Sequence, residues 1–146
     1  MSDELRRLCY YIISKDKKEE ISLLKLNKIL YMIQASSLVY LDKPCFPENF
    51  KAGLLGGFII KKKIDYENLK ATYYYNDCEI YDDCIKTIVD TILTYTKNIS
   101  SMDLAMLISS YECCWKNYRD DIGFIDKYEI KECHQKIAKE KNGFIF

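Results

Sequence analysis

One histidine, one tryptophan, two prolines and five glycines are all that 146 residues contain of these types. His134 stands alone, with no Cys-x-x-Cys pair and no second histidine at zinc spacing, so no metal is expected. A metal site would have to gather scattered cysteines such as Cys78, Cys84, Cys113 and Cys114. The glycines form neither GxxxxGK[ST] nor GxGxxG, which excludes the familiar phosphate loops. No apolar run approaches the roughly 20 residues of a membrane span. The N-terminus, MSDELRRLCYY, places an acidic pair before a basic one and lacks a long apolar core, unlike a secretory signal. Net charge is absent too, because 22 basic and 22 acidic residues cancel. That balance argues against a nucleic-acid or membrane partner held by bulk electrostatics, and the aromatics are not interleaved with Arg or Lys.

What is present is an ordinary globular mixture, 30% charged and 49% hydrophobic. A chain of this length buries a proper core without metal or disulfide help, and it reads as one domain over 1–146. Seven cysteines are more than usual, and an odd number leaves one unpaired in any full disulfide scheme. Without a secretory signal the expectation is cytoplasmic localisation with reduced thiols, each cysteine packing as a small apolar side chain. Cys113-Cys114 is a vicinal pair that cannot close an ordinary unstrained disulfide, and no activating base adjoins it in sequence.

Periodicity predicts a mainly α (α+β) fold, a compact domain of five to six helices with a small β-hairpin or sheet. Leu5, Leu8, Cys9 and Ile12 mark a helix over 3–14, and the charged stretch Lys15 to Glu20 is a solvated connection. Ser22 is the expected N-cap of a central helix over 23–41. Leu23, Leu26, Leu30, Ile33 and Leu41 share one side of it, widened by Leu24, Tyr31 and Leu38. Lys25, Lys28 and Ser36 form a polar edge opposite, while Asn27 and Gln34 sit in the apolar sector and need loop backbone as partners. The residue before Pro44 is pushed out of helical geometry, so Asp42-Lys43-Pro44 ends the helix. Gly53, Gly56 and Gly57 cluster in the loop that follows, and Lys61–Lys63 read as a solvated turn. LKATYYY, residues 69–75, reads as a strand with alternating tyrosines. Further helices are expected over 81–96, over 102–112 capped by Ser100 or Ser101, and over 126–140, with Phe144–Phe146 folding back.

Chemistry is sparse. A cysteine-dependent hydrolase would draw on Cys113, Cys114 and His134, and Asp82-Asp83 and Asp120-Asp121 read as helix-end and loop charges. The reading is therefore a protein-binding module and not an enzyme, with Gly53, Gly56, Gly57, Phe58, Tyr73, Tyr75 and Trp115 as the partner-binding candidates. Core packing competes for Trp115. The partner is a protein, no cofactor is required, and a homo-oligomer is left open.

The central stretch resembles the Panacea domain, a bacterial and phage family that includes hyper-promiscuous antitoxins. The motif residues are Leu26, Asn27, Lys28, Leu30 and Tyr31, similar to the family's L-x-K-L-L-Y helix, with Gln34-Ala35 at the family spacing. Asp42 to Phe46, with Pro44, is similar to its G-K-P-L-F turn, and Ala52 and Gly56 to its A-W-x-x-G-P-V segment. Glu112 and Trp115 match T-H-x-E-x-P-W, and Ile125, Glu129 and Ile130 fit the closing helix. Gly53 stands where the family has tryptophan, Gly57-Phe58 where it has Pro-Val, and Ser110 and Cys114 where it has histidine and proline. The resemblance implies a helical domain with a small sheet that neutralises a cognate toxin by contact. A phage or mobile-element inhibitor of a host defence nuclease, of anti-CRISPR type, is the alternative.

Overall fold

Helix starts in this chain are written in short polar side chains. In the computed structural model, which describes residues 1–53, 55–111 and 123–146, six α-helices run through those residues. They are α1 (Asp3–Lys15), α2 (Leu23–Tyr40), α3 (Lys63–Thr72), α4 (Asp83–Thr96), α5 (Ser101–Ser109) and α6 (Lys127–Glu140). Ser2, Ser22, Asp82, Ser100 and Asp126 each accept a backbone N–H from the first turn of the helix they open. Each such cap is worth about 1 kcal/mol. Among the helices of the described residues, only α3 starts without one, at Lys62.

α2 is the axis of the fold, with α4, α5 and α6 packed around it and α1 lying against α3. Every residue from Lys25 to Leu38 is buried. This corrects the expected polar edge. Lys25 Nζ donates to the Ile99 carbonyl at 2.7 Å and Lys28 Nζ to the Gly57 carbonyl at 3.1 Å, so loop backbone covers the side left to solvent by periodicity. Asn27 is held by the segment after the glycine loop: its Oδ1 accepts from Ile59 N (2.8 Å) and Ile60 N (3.0 Å), and its Nδ2 donates to Ile60 O and Leu23 O. Gln34 holds a different loop, accepting from Cys45 N and donating to Phe46 O, both at 2.9 Å.

The strand expected at 69–75 is not formed. Residues 69–72 complete α3 and Tyr73–Tyr75 continue as one 3-10 turn. Helical spacing wins here because Tyr66 and Leu69, three residues apart, both face the core, where alternation would have turned one of them outward. Among the described residues no strand occurs. Two isolated antiparallel bridges tie Lys51 to Phe58 and to Phe124. Around them Ile125 N donates to Phe50 O at 2.7 Å, so the extended pairing lies on the glycine loop and not on the tyrosine run.

No helix among the described residues is long and apolar enough to cross a membrane. Cys9, Cys45, Cys78 and Cys84 are free thiols. Burial pushes Cys9 and Cys45 up to about 12, so both stay protonated and pack as apolar groups. Cys133 is disulfide-bonded, a departure from the expectation that all thiols are reduced. Sequence spacing carried no sign of that pairing.

Candidate functional site

The glycine loop is turned inward. Gly56 has φ +89°, a left-handed conformation that glycine adopts without strain. Gly56 and Gly57 are buried, and the Gly57 carbonyl receives Lys28. At Gly53 a Cβ would meet the Phe58 ring at 3.0 Å and the Gly56 carbonyl at 3.3 Å, so the half-buried Phe58 lies directly over the loop backbone. Of the partner-binding candidates these four are packed together; among the described residues of the loop Leu55, not one of the candidates, is exposed at the tip. Trp115 and Glu112, with Cys113, Cys114 and Asp120-Asp121, lie outside the described residues.

Lys28 is 1% exposed, and burial lowers its pKa to about 8. It remains mostly protonated at neutral pH, an ammonium held at the junction of α2 and the loop.

His134 is fully buried (0% exposed) at the meeting of α2, α6 and the C-terminal tail. Its Nδ1 donates to the Ile145 carbonyl at 2.6 Å, which leaves Nε2 to accept from the Tyr31 hydroxyl at 2.8 Å. Tyr111, Tyr31 and Phe146 surround the ring with centroids 5.0–5.5 Å away. Burial lowers the His134 pKa to about 4, the carbonyl bond opposing it only in part, so the imidazole is neutral at pH 7. Both ring nitrogens are engaged inside the protein, and the histidine fastens the chain end to the core. Pro44 is exposed on the turn after α2, while Leu26, Leu30, Tyr31 and Phe46 are core.

The aromatic candidates on the 3-10 turn face outward. Tyr73 is half-buried and stacks on Tyr74 with centroids 4.0 Å apart; Tyr74 is 77% exposed and Tyr75 87%. Tyr81, also 71% exposed, lies further along the same connection. The comparisons add no relative: no family model, no curated protein and no solved structure matches this chain. The exposed tyrosines therefore rest on their geometry alone.

The sequence pointed to Tyr73 and Tyr75 as partner-binding candidates; the structure adds the exposed Tyr74 and Tyr81 on the same connection, with Asp77 and Arg7 beside Tyr81. Asp77 meets Arg7 of α1 at 3.5 Å, and the Arg7 guanidinium carbon stands 5.2 Å from the Tyr81 ring centroid. The signal available was compositional. From Tyr74 to Asp83 there are three tyrosines and four carboxylates and no cation. Asp82, read as a helix-end charge, is the cap of α4 and also pairs with Lys43 at 3.1 Å.

Proposed function

We propose that this protein is a non-catalytic binding module of Panacea type, an antitoxin that masks a cognate toxin in the cytoplasm by direct contact. The observation that carries the reading is the row of tyrosines left facing solvent between α3 and α4. Large aromatic side chains bring much contact area at low entropic cost, and such residues anchor protein interfaces. The buried polar groups Asn27, Gln34 and His134 are directed at the chain itself, which fits a scaffold whose chemistry is internal support. Co-expression with the product of the adjacent gene should rescue growth and give a complex that survives size-exclusion chromatography. Absence of both rescue and a complex would overturn the reading.

The carboxylates of the same connection favour a second reading, an inhibitor of a host defence nuclease. A cleavage assay with the host effector separates the two, since an antitoxin leaves cleavage untouched and an inhibitor stops it.

A further inference from the structure

The connection from Tyr73 to Asp83 is laid along α1. Thr72 Oγ1 meets the Tyr10 hydroxyl at 3.1 Å at one end, and Asp77 and Tyr81 meet Arg7 further along. The Tyr81 hydroxyl donates to the same Asp77 oxygen at 2.5 Å, and that bond holds the Asp77 carboxyl below its ordinary range. One arginine of the chain is thus already held by an aromatic ring over its face and a carboxylate at its edge, the two contacts that suit a planar guanidinium and not an ammonium.

Around that arginine carboxylates outnumber cations, Asp3, Glu4, Asp77, Glu79, Asp82 and Asp83 against Arg6, Arg7, Lys43 and Lys86. Asp77, Glu79, Asp82 and Asp83 follow within seven residues with no basic residue among them. Asp3 and Glu4 at the start of α1 line, with Arg7, Tyr81, Asp82 and the Lys43 that pairs with Asp82, a groove of about 400 Å³. Glu4 and Asp83 pair with no cation among the described residues, and Glu79 has only Lys86 at 4.0 Å. Arg7 is itself half-exposed, so an incoming arginine can share or replace its position.

We propose that this connection docks an arginine-bearing segment of the protein partner, guanidinium groups lying on Tyr81 and Tyr75 with Asp77, Asp83 and Glu4 at their edges. This rests on the protein-binding reading and names the chemistry of the surface that is masked. The complementarity is electrostatic and planar together: excess carboxylates attract, and exposed ring faces select arginine over lysine.

The test uses the full chain and fluorescently labelled oligoarginine and oligolysine of equal length, followed by anisotropy at physiological ionic strength. Oligoarginine should bind at least about tenfold more tightly than oligolysine, because the guanidinium stacks and the ammonium does not. Tyr75→Ser combined with Tyr81→Ser should weaken oligoarginine by about tenfold or more. Tyr75→Ser alone, at a site almost wholly in solvent, should weaken it in the same direction with the helical circular dichroism unchanged. Arg7→Ala should tighten oligoarginine several-fold by vacating the Tyr81–Asp77 position. Arg6→Ala removes the same charge from α1 and should change binding less than about twofold. Equal binding of the two peptides, indifference to the tyrosine variants, or equal responses to Arg6→Ala and Arg7→Ala would overturn the proposal. If a partner is captured equally by wild type and by the double tyrosine variant, this surface is wrong and the binding-module reading stands. If oligoarginine behaves as described but no partner forms a complex, the surface stands and the antitoxin reading falls.

Discussion

At the scale of single residues, Lys28 and His134 carry opposite lessons about burial. Lys28 is an ammonium inside the protein, and its lowered pKa is a measure of how far the fold disfavours the charge. Between pH 8 and about 10.5 the unfolded chain binds more protons than the folded one, so the penalty is full below pH 8 and is relieved as pH rises through that window. Lys28→Met keeps the volume and removes the charge. It should raise stability by about 1–3 kcal/mol at pH 7, read as a higher urea midpoint with unchanged slope. A lower midpoint would mean that the bond to Gly57 outweighs desolvation. His134 is neutral inside, and charging it is what the fold resists. Its folded pKa of about 4 lies below the ordinary 6.5, so its contribution is complete above pH 6.5 and is lost as pH falls toward 4. Stability should drop by on the order of 3 kcal/mol across that window. His134→Gln should start lower and show a flatter profile in urea titrations at pH 7 and pH 4.5.

At the scale of elements, the helices were legible because capping and periodicity agree. Ser22 and Ser100 stand where the structure uses them, and Leu5, Leu8, Cys9 and Ile12 are all on the buried side of α1. α3 was misread because three consecutive tyrosines favour a strand locally, whereas Tyr66 and Leu69 settle the matter by packing against α1. The exposed face was only half legible for a similar reason. Tyr75 is visible in the sequence, but Arg7 and Asp77 are 70 positions apart and meet only because α1 lies along the 72–83 connection. The loop ties were foreseeable in kind and not in address: amides inside an apolar sector need backbone partners, yet nothing in sequence told that Asn27 takes Ile59 and Ile60 while Gln34 takes Cys45 and Phe46. Asn27→Ala would orphan the buried Ile60 N–H and carbonyl and the part-buried Ile59 N–H, and should cost about 2–4 kcal/mol in thermal or urea unfolding. Ser22→Ala, which removes the cap of α2 and an exposed hydroxyl contact with Ser101, should cost about 1–2 kcal/mol.

At the scale of the whole molecule, zero net charge conceals an uneven distribution. Carboxylates gather along the connection into α4, where Asp77, Glu79, Asp82 and Asp83 follow one another without a basic residue between them. Lys15, Lys17, Lys18, Lys25 and Lys97 outnumber Asp16, Glu20 and Asp90 around a second groove of about 440 Å³. A neutral protein arranged in this way is still steered toward a basic partner at short range, and salt screens that steering over about 8 Å at physiological ionic strength. Association with a partner should therefore slow as salt is raised while dissociation changes little, which stopped-flow measurements resolve.

The complete burial of α2 has a consequence for how binding at a distant surface is detected. Amide protons from Ile29 to Leu38 are hydrogen-bonded within a helix that has no solvent-facing side, so their exchange with deuterium requires opening of the whole fold. They act as an internal gauge of global stability. A partner present at 100 times its Kd should slow their exchange by about a hundredfold, even though it touches none of them, because mass action deepens the folded state as a unit.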